Sequence, residues 1–261
     1  MIRIATSAVG IPVLLAILWY GGSLGFFLLV ALAAVIANIE FHQMISHSGV
    51  GGFVVEGTLL AFLMVLNFYF GGVYFMEWIF ISILTLFLAW FIREDNEKIA
   101  LDQISFTLMG AMYTGGLLGF FLLIRQQPEG AQLIIFLLLI IWSGDALAYY
   151  VGRNFGRRPL AKTSPNKTWE GAVGGLCGSM IAALISGFTY LSQLSPSHCL
   201  LVAFICGIIG QFGDLAESLL KRNTGVKDSG NILPGHGGIL DRIDSLLFAG
   251  PAFYLYLKLA S

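Results

Sequence analysis

Asp214 and Glu217 stand three positions apart in GIIGQFGDLAESLLKR, and Lys221 follows four after Glu217. On a helix those intervals put all three side chains near one face. Asp241 and Asp244 in DRID repeat the three-residue interval, and Asp145 sits in another apolar run, IIWSGDALAYYVG. Four carboxylates on two adjacent helices repel one another unless cations lie among them. A hard divalent cation, Mg²⁺ above all, takes carboxylate oxygens together with water and substrate phosphates. Ion pairing with Lys221, Arg222, Lys227 and Arg242 is the competing account, but it leaves unexplained the glycines and the length of KRNTGVKDSGNILPGHGGILDRID, residues 221–244.

The glycines and basic residues extend the chemistry. PGHGG at 234–238 lets backbone approach a ligand closely and can turn successive N–H groups toward an anion. Lys221, Arg222 and Lys227 in this stretch, with Lys162 and Lys167 in RNFGRRPLAKTSPNKTWEG (153–171), supply positive charge for phosphates. His236 between glycines suits a phosphate donor, a metal ligand or a structural hydrogen bonder, and spacing does not choose among them. Carboxylates that hold a metal, beside basic loops at a membrane surface, point to phosphoryl or nucleotidyl transfer onto a lipid.

The elements that must position these groups are membrane helices. With 57% hydrophobic and 11% charged residues among 261, the chain has too little polar surface to coat a water-soluble globule. Spans of about 20 apolar residues are expected near 4–20, 22–46, 53–70, 73–92, 104–124, 131–152, 171–191, 198–220 and 241–259, about nine in all. The first is read as a span and not as a signal peptide, because no small-residue cleavage site follows it. Nine spans put Arg3, Arg93, Lys98, Arg153, Arg157, Arg158, Lys162, Lys167, Lys221, Arg222, Lys227 and Arg242 on one side, leaving Arg125 and Lys258 on the other. That asymmetry predicts a cytoplasmic N-terminus. Both long connections, 153–171 and 221–244, then face the cytoplasm, where loops of such length are commonly functional.

An ionisable group facing lipid inside a span costs on the order of 3 kcal/mol, so the acids are expected to face the protein interior. They gather at the cytoplasmic third, which argues against an ion path through the whole membrane depth. Residues 1–127 read as a transmembrane scaffold of about five helices, and 128–261 as a catalytic region of about four helices with two long loops. Glu40, His42, His47, Glu56 and Glu77, near the ends of their runs, read as interfacial. Cys177, Cys199 and Cys206 read as small apolar-run side chains without zinc spacing. The charge pattern gives no reason to expect a nucleic-acid partner.

At this point the residues resemble a family, the phosphatidate cytidylyltransferases or CDP-diacylglycerol synthases. The signature of that family is met by Ser218, Leu220, Lys221, Arg222, Lys227, Asp228, Gly230, Leu233, Pro234, His236, Gly237, Gly238, Asp241, Arg242 and Asp244, and SPNKTWEG (164–171) with Asp145 is also similar to it. The motifs cover about residues 140 to 250. The resemblance implies an all-helical integral membrane homodimer, in bacteria of the inner membrane, that transfers CMP from CTP to phosphatidate with Mg²⁺, a second cation being left open. It implies Asp214 and Asp241 as metal ligands, and Glu217 and Asp244 are expected beside them as further ligands or supporting partners. Asp145 would position a lysine or a metal-bound water. Lys167, Lys221, Arg222 and Lys227 would hold the phosphates, with Asp228 orienting a lysine or meeting the nucleotide, and His236, Gly237, Gly238 and Arg242 completing the substrate surface. A prenol kinase that transfers the γ-phosphate of CTP is the alternative within enzymes.

Overall fold

The structure is a computed structural model that describes residues 2–93, 96–232 and 237–260. Its helices in chain order are α1 (Ile2–Tyr20), α2 (Gly22–Ser46), α3 (Val54–Tyr69), α4 (Phe75–Arg93), α5 (Ala100–Ala111), α6 (Leu117–Arg125), α7 (Gly130–Phe155), α8 (Trp169–Thr189), α9 (Pro196–Asn223) and α10 (Leu240–Ala260). A π-helical turn, Met112–Gly116, joins α5 to α6. The chain is an all-α polytopic membrane protein: among the described residues seven helical stretches are long and apolar enough to cross a bilayer, and Val54–Tyr69 is a shorter apolar helix. A helix accompanies each of the nine expected runs, and α3, at 16 residues, is shorter than a full span. Lipid tails are as apolar as leucine, so large apolar side chains can face outward, as Phe80, Ile83, Phe87 and Phe91 do on α4.

The helical expectation did not include a two-stranded antiparallel hairpin, β1 (Pro159–Ala161) and β2 (Ser164–Thr168), paired through Pro159 with Thr168 and Ala161 with Ser164. Pro159 and Pro165 disfavour a helix across 159–168 and favour extended backbone just before them. Thr168 then opens α8, its Oγ1 accepting a hydrogen bond from the Gly171 amide at 3.1 Å.

The residues form two compact units. One comprises 1–123 with 221–243, and the other 124–220 with 244–261, so α9 and α10 each contribute to both. Residues 221–243, the second long connection with the start of α10, group with the N-terminal helices.

In the first unit, small residues let α2 lie close to its neighbours, with Ala31, Ala34 and Ala37 buried. Phe41, Met44, Leu60 and Met64 fill its core. Three polar side chains there form a chain of hydrogen bonds: Thr58 Oγ1 donates to Asn38 Oδ1 at 3.3 Å, Asn38 Nδ2 to Thr114 Oγ1 at 3.1 Å, and Thr114 Oγ1 to the Gly110 carbonyl at 2.8 Å.

The second unit is built on a seam of small residues between α7 and α8. A Cβ at Gly178 would lie 2.7 Å from the Ser143 carbonyl oxygen, and one at Gly175 would lie 2.9 Å from that of Gly144. Glycine therefore sets how near the two backbones come, as in other membrane helix pairs. Ser179 Oγ donates across the same seam to the Ile140 carbonyl at 3.0 Å. α9 and α10 touch in the same way, since a Cβ at Gly213 would stand 2.5 Å from the Asp244 carbonyl oxygen.

Candidate active site

That close approach at Gly213 brings acids of two helices together. Asp214 and Glu217 on α9 and Asp244 on α10 each offer a carboxylate oxygen, and the three oxygens lie within 4.8 Å of one another. Glu217 is fully buried. Asp244 Oδ1 accepts the Ser245 amide at 2.7 Å. Three carboxylates this close repel one another strongly unless positive charge or protons intervene. A hard cation such as Mg²⁺ binds oxygen ligands at about 2.0–2.1 Å, which holds neighbouring ligand oxygens about 3–4 Å apart. Small side-chain adjustments would bring the three oxygens to that spacing. The donor set is all carboxylate oxygen, so the residues present fit a hard divalent cation.

Lys167 reaches this group from the hairpin. It is the penultimate residue of β2, directly before the Thr168 cap, and Glu170 Oε2 fastens the preceding loop by accepting the Arg157 and Arg158 amides at 3.0 and 3.3 Å. Lys167 Nζ lies 2.6 Å from Asp214 Oδ1 and donates to Ser218 Oγ at 3.3 Å. Both partners of the ion pair are about one-third exposed or less, at 27% for Lys167 and 33% for Asp214, and both line a cleft. The cleft has a volume of about 610 Å³ and is lined by Asp145, Arg153, Asn166, Lys167, Gln211 and Asp214 among others. Asp145 is exposed into it. Gln211 is tied to α8 through Nε2, which donates to the Ala172 carbonyl at 3.1 Å. Acidic and basic groups of this cleft could hold a metal on one wall and phosphate oxygens on another.

The other candidate acid, Asp241, belongs to the first unit. Its Oδ1 is 2.7 Å from Lys221 Nζ, and its Oδ2 accepts the amides of Ser229 and Gly238 at 3.0 and 2.9 Å. Asp241 and Lys221 are shielded, with side chains 6% and 15% exposed. Within the second unit the structure thus groups three of the four expected carboxylates, while in the first Asp241 organises backbone. Gly237 has φ +80°, and a Cβ there would lie 2.7 Å from Asp241 Oδ2. Arg222, Lys227, Asp228 and Arg242 are exposed. Lys227 and Asp228 line an open pocket of about 510 Å³ with Gln43 and His47 of α2. His236 lies outside the described residues, as do Leu233, Pro234 and Gly235.

Glu40, interfacial by its place near the end of an apolar run, is instead completely buried. Its carboxylate accepts the amides of Ile239 at 3.0 Å and Leu240 at 2.8 Å, and the Ser229 hydroxyl at 3.4 Å. The available signal was the cost of a lone acid within a 25-residue apolar helix. His42, expected beside it, is also buried, against Gly52, Gly57 and Thr107, whereas His47 is exposed with Nδ1 2.8 Å from the Gln43 carbonyl.

Residues 1–260 match the description "Cytidylyltransferase family". The chain belongs to this family. Among its curated relatives, the phosphatidate cytidylyltransferase of Bacillus subtilis is 43% identical over 162 residues, 61% of this chain and 60% of that protein. The phosphatidate cytidylyltransferase of Staphylococcus haemolyticus is 34% identical over 268 aligned positions, 98% of both chains. That of Helicobacter pylori strain J99 is 44% identical over 149 residues, 56% of this chain and 54% of the relative. Membership in the cytidylyltransferase family accounts for an acidic group and a lysine in one cleft, since enzymes that use a nucleoside triphosphate must neutralise phosphate charge.

Proposed function

We propose that this chain is a phosphatidate cytidylyltransferase, transferring CMP from CTP to phosphatidate to give CDP-diacylglycerol and pyrophosphate. The observation that carries the reading is the group Asp214, Glu217 and Asp244 with Lys167 2.6 Å from Asp214, in a chain similar over nearly its whole length to relatives of that name. A phosphate oxygen of phosphatidate forms a bond to the α-phosphorus of CTP as the bond from that phosphorus to the β-phosphate oxygen breaks. The attacking oxygen is already ionised, so no strong general base is needed. What remains for the protein is positioning and charge neutralisation.

Asp214, Glu217 and Asp244 would hold Mg²⁺, which when bound supplies positive charge to the phosphates of CTP. Lys167 exchanges its partner Asp214 for a phosphate oxygen as substrate enters the cleft, and Asp145 holds the lysine's orientation. Lys227, Arg222 and Arg242, exposed in the first unit, draw phosphates from solution, and Asp228 orients Lys227. Lys221 and Asp241 keep the backbone of 229 and 238 in shape. The basic-residue asymmetry supports a site facing the cytoplasm, in a bacterial inner membrane. The homodimer that the resemblance implies is part of this reading, and the mass of the detergent-solubilised protein tests it.

The deciding experiment supplies purified protein with phosphatidate, Mg²⁺ and CTP labelled at either the α or the γ phosphate. Label from the α position should reach the lipid while γ label leaves as pyrophosphate. Lipid labelled from the γ position would instead identify a kinase.

A further inference from the structure

The Glu40 carboxylate occupies a place for which the reaction gives no reason, in a helix remote in sequence from every signature residue. It is fully buried on α2 and meets chain 189 to 200 positions away. The Ile239 and Leu240 amides that it accepts open α10, where helix N–H groups have no intrahelical partner and a negative charge is stabilised. The glycines around it complete the fit. A Cβ at Gly230 would lie 2.7 Å from Glu40 Oε1 and 2.9 Å from its Cδ and Cγ. One at Gly238 would lie 2.5 Å from Oε2 and 2.3 Å from Ser229 Oγ. Backbone therefore wraps the carboxylate at a distance that side chains at 230 and 238 would prevent.

We propose that Glu40 is a positioning residue: it clamps Ser229–Gly230 to Gly238–Leu240, and thereby fixes the first turn of α10 and the Asp241 contacts next to it. The clamp is one of two parallel links across the same backbone, because Asp241 Oδ2 joins Ser229 to Gly238 by their amides. Glu40 adds a buried charge anchored in a different helix. The exposed Lys227 and Asp228 directly precede Ser229, so the shape of that backbone decides where their side chains stand. The inference rests on the cytidylyltransferase reading for its activity readout.

The test compares wild type, Glu40→Gln, Glu40→Ala, Gly230→Ala and the Glu40→Ala/Gly230→Ala double variant, by transfer of α-labelled CTP to lipid and by melting temperature in detergent. Glu40→Gln preserves shape but loses the charge, and we expect kcat to fall roughly tenfold or more per folded enzyme, as misplacement of supporting groups does, with the melting temperature little changed. Gly230→Ala should lower kcat when Glu40 is present and cost little once Glu40 is alanine, because the three atoms nearest its methyl all belong to the Glu40 side chain. Such non-additivity is the mark of direct contact. Unchanged kcat in Glu40→Gln, or an equal loss from Gly230→Ala in both backgrounds, overturns the proposal. A fall in melting temperature with kcat intact would do the same, since it would show a purely structural cap. If Glu40→Gln does not fold, Gly230→Ala decides alone, and full kcat in that variant rejects the clamp. Should the wild type itself transfer no label, the activity reading fails separately, and additive melting-temperature losses in the cycle would still reject the contact.

Discussion

The two units treat their buried acids in opposite ways. In the second, Asp214, Glu217 and Asp244 crowd one another within 4.8 Å, and Lys167, a long side chain at the wall of a cleft, meets Asp214. In the first, Glu40 and Asp241 are kept among backbone amides, a hydroxyl and the Lys221 ammonium, each oxygen given a donor. Charge repulsion in the second unit would be relieved by binding a cation. In the first unit the donors are already built in, so the acids hold chain in place. Acidic residues in one signature, three positions apart, can thus serve different ends.

The comparison breaks first at Asp244. Asp244→Asn should lower CMP transfer on the order of 10²–10³-fold, the scale of losing a charge aimed at the reacting phosphates. The Mg²⁺ concentration for half-maximal rate should rise about tenfold or more, and a rate titration against Mg²⁺ reads both. An unchanged Mg²⁺ requirement would remove the three-carboxylate site from the mechanism. Next is Lys167→Met, which keeps the aliphatic stem and deletes the charge. Initial rates should show a loss of about 10²-fold, and since the neighbouring Asp214 is left without its ammonium, added Mg²⁺ should recover part of it.

Asp241→Asn sharpens the contrast from the other side. It leaves an acceptor for Ser229 and Gly238 but removes the negative charge 2.7 Å from Lys221 Nζ, and unfolding in detergent should show about 1–3 kcal/mol of lost stability. Its Mg²⁺ requirement should match the wild type; a shift like that of Asp244→Asn would instead make Asp241 a ligand, as the family resemblance implies. The smallest effect belongs to Thr168→Ala, which removes the α8 cap next to Lys167. About 1 kcal/mol of stability is expected to go, with a modest rise in KM for CTP as Lys167 loses its fixed approach.

Much of this was legible from local pattern. Apolar runs announce their helices because a bilayer requires about 20 such residues per crossing. Asp214 and Glu217 were expected on one face because three positions is nearly one helical turn. The hairpin at 159–168 was less visible, as its short strands have no periodicity long enough to read, only the prolines that exclude a helix. Asp241 could not be separated from Asp244 by spacing. Both begin α10, and only their surroundings distinguish an acid facing Lys221 from one facing Asp214 and Glu217.

From the chain alone came the membrane setting, the order of helices, the acids and bases of the signature, and the class of chemistry, since these depend on composition and on intervals of three or four residues. Tertiary structure alone decided that Asp244 meets Asp214 and Glu217, that residues 221–243 group with the N-terminal helices, and that Glu40 grips chain some 200 positions away. The physical reason is range. A helix dictates neighbours one turn apart, but which buried carboxylate meets which donor depends on how closely backbones pack, and here glycines at 213, 230 and 238 set that distance.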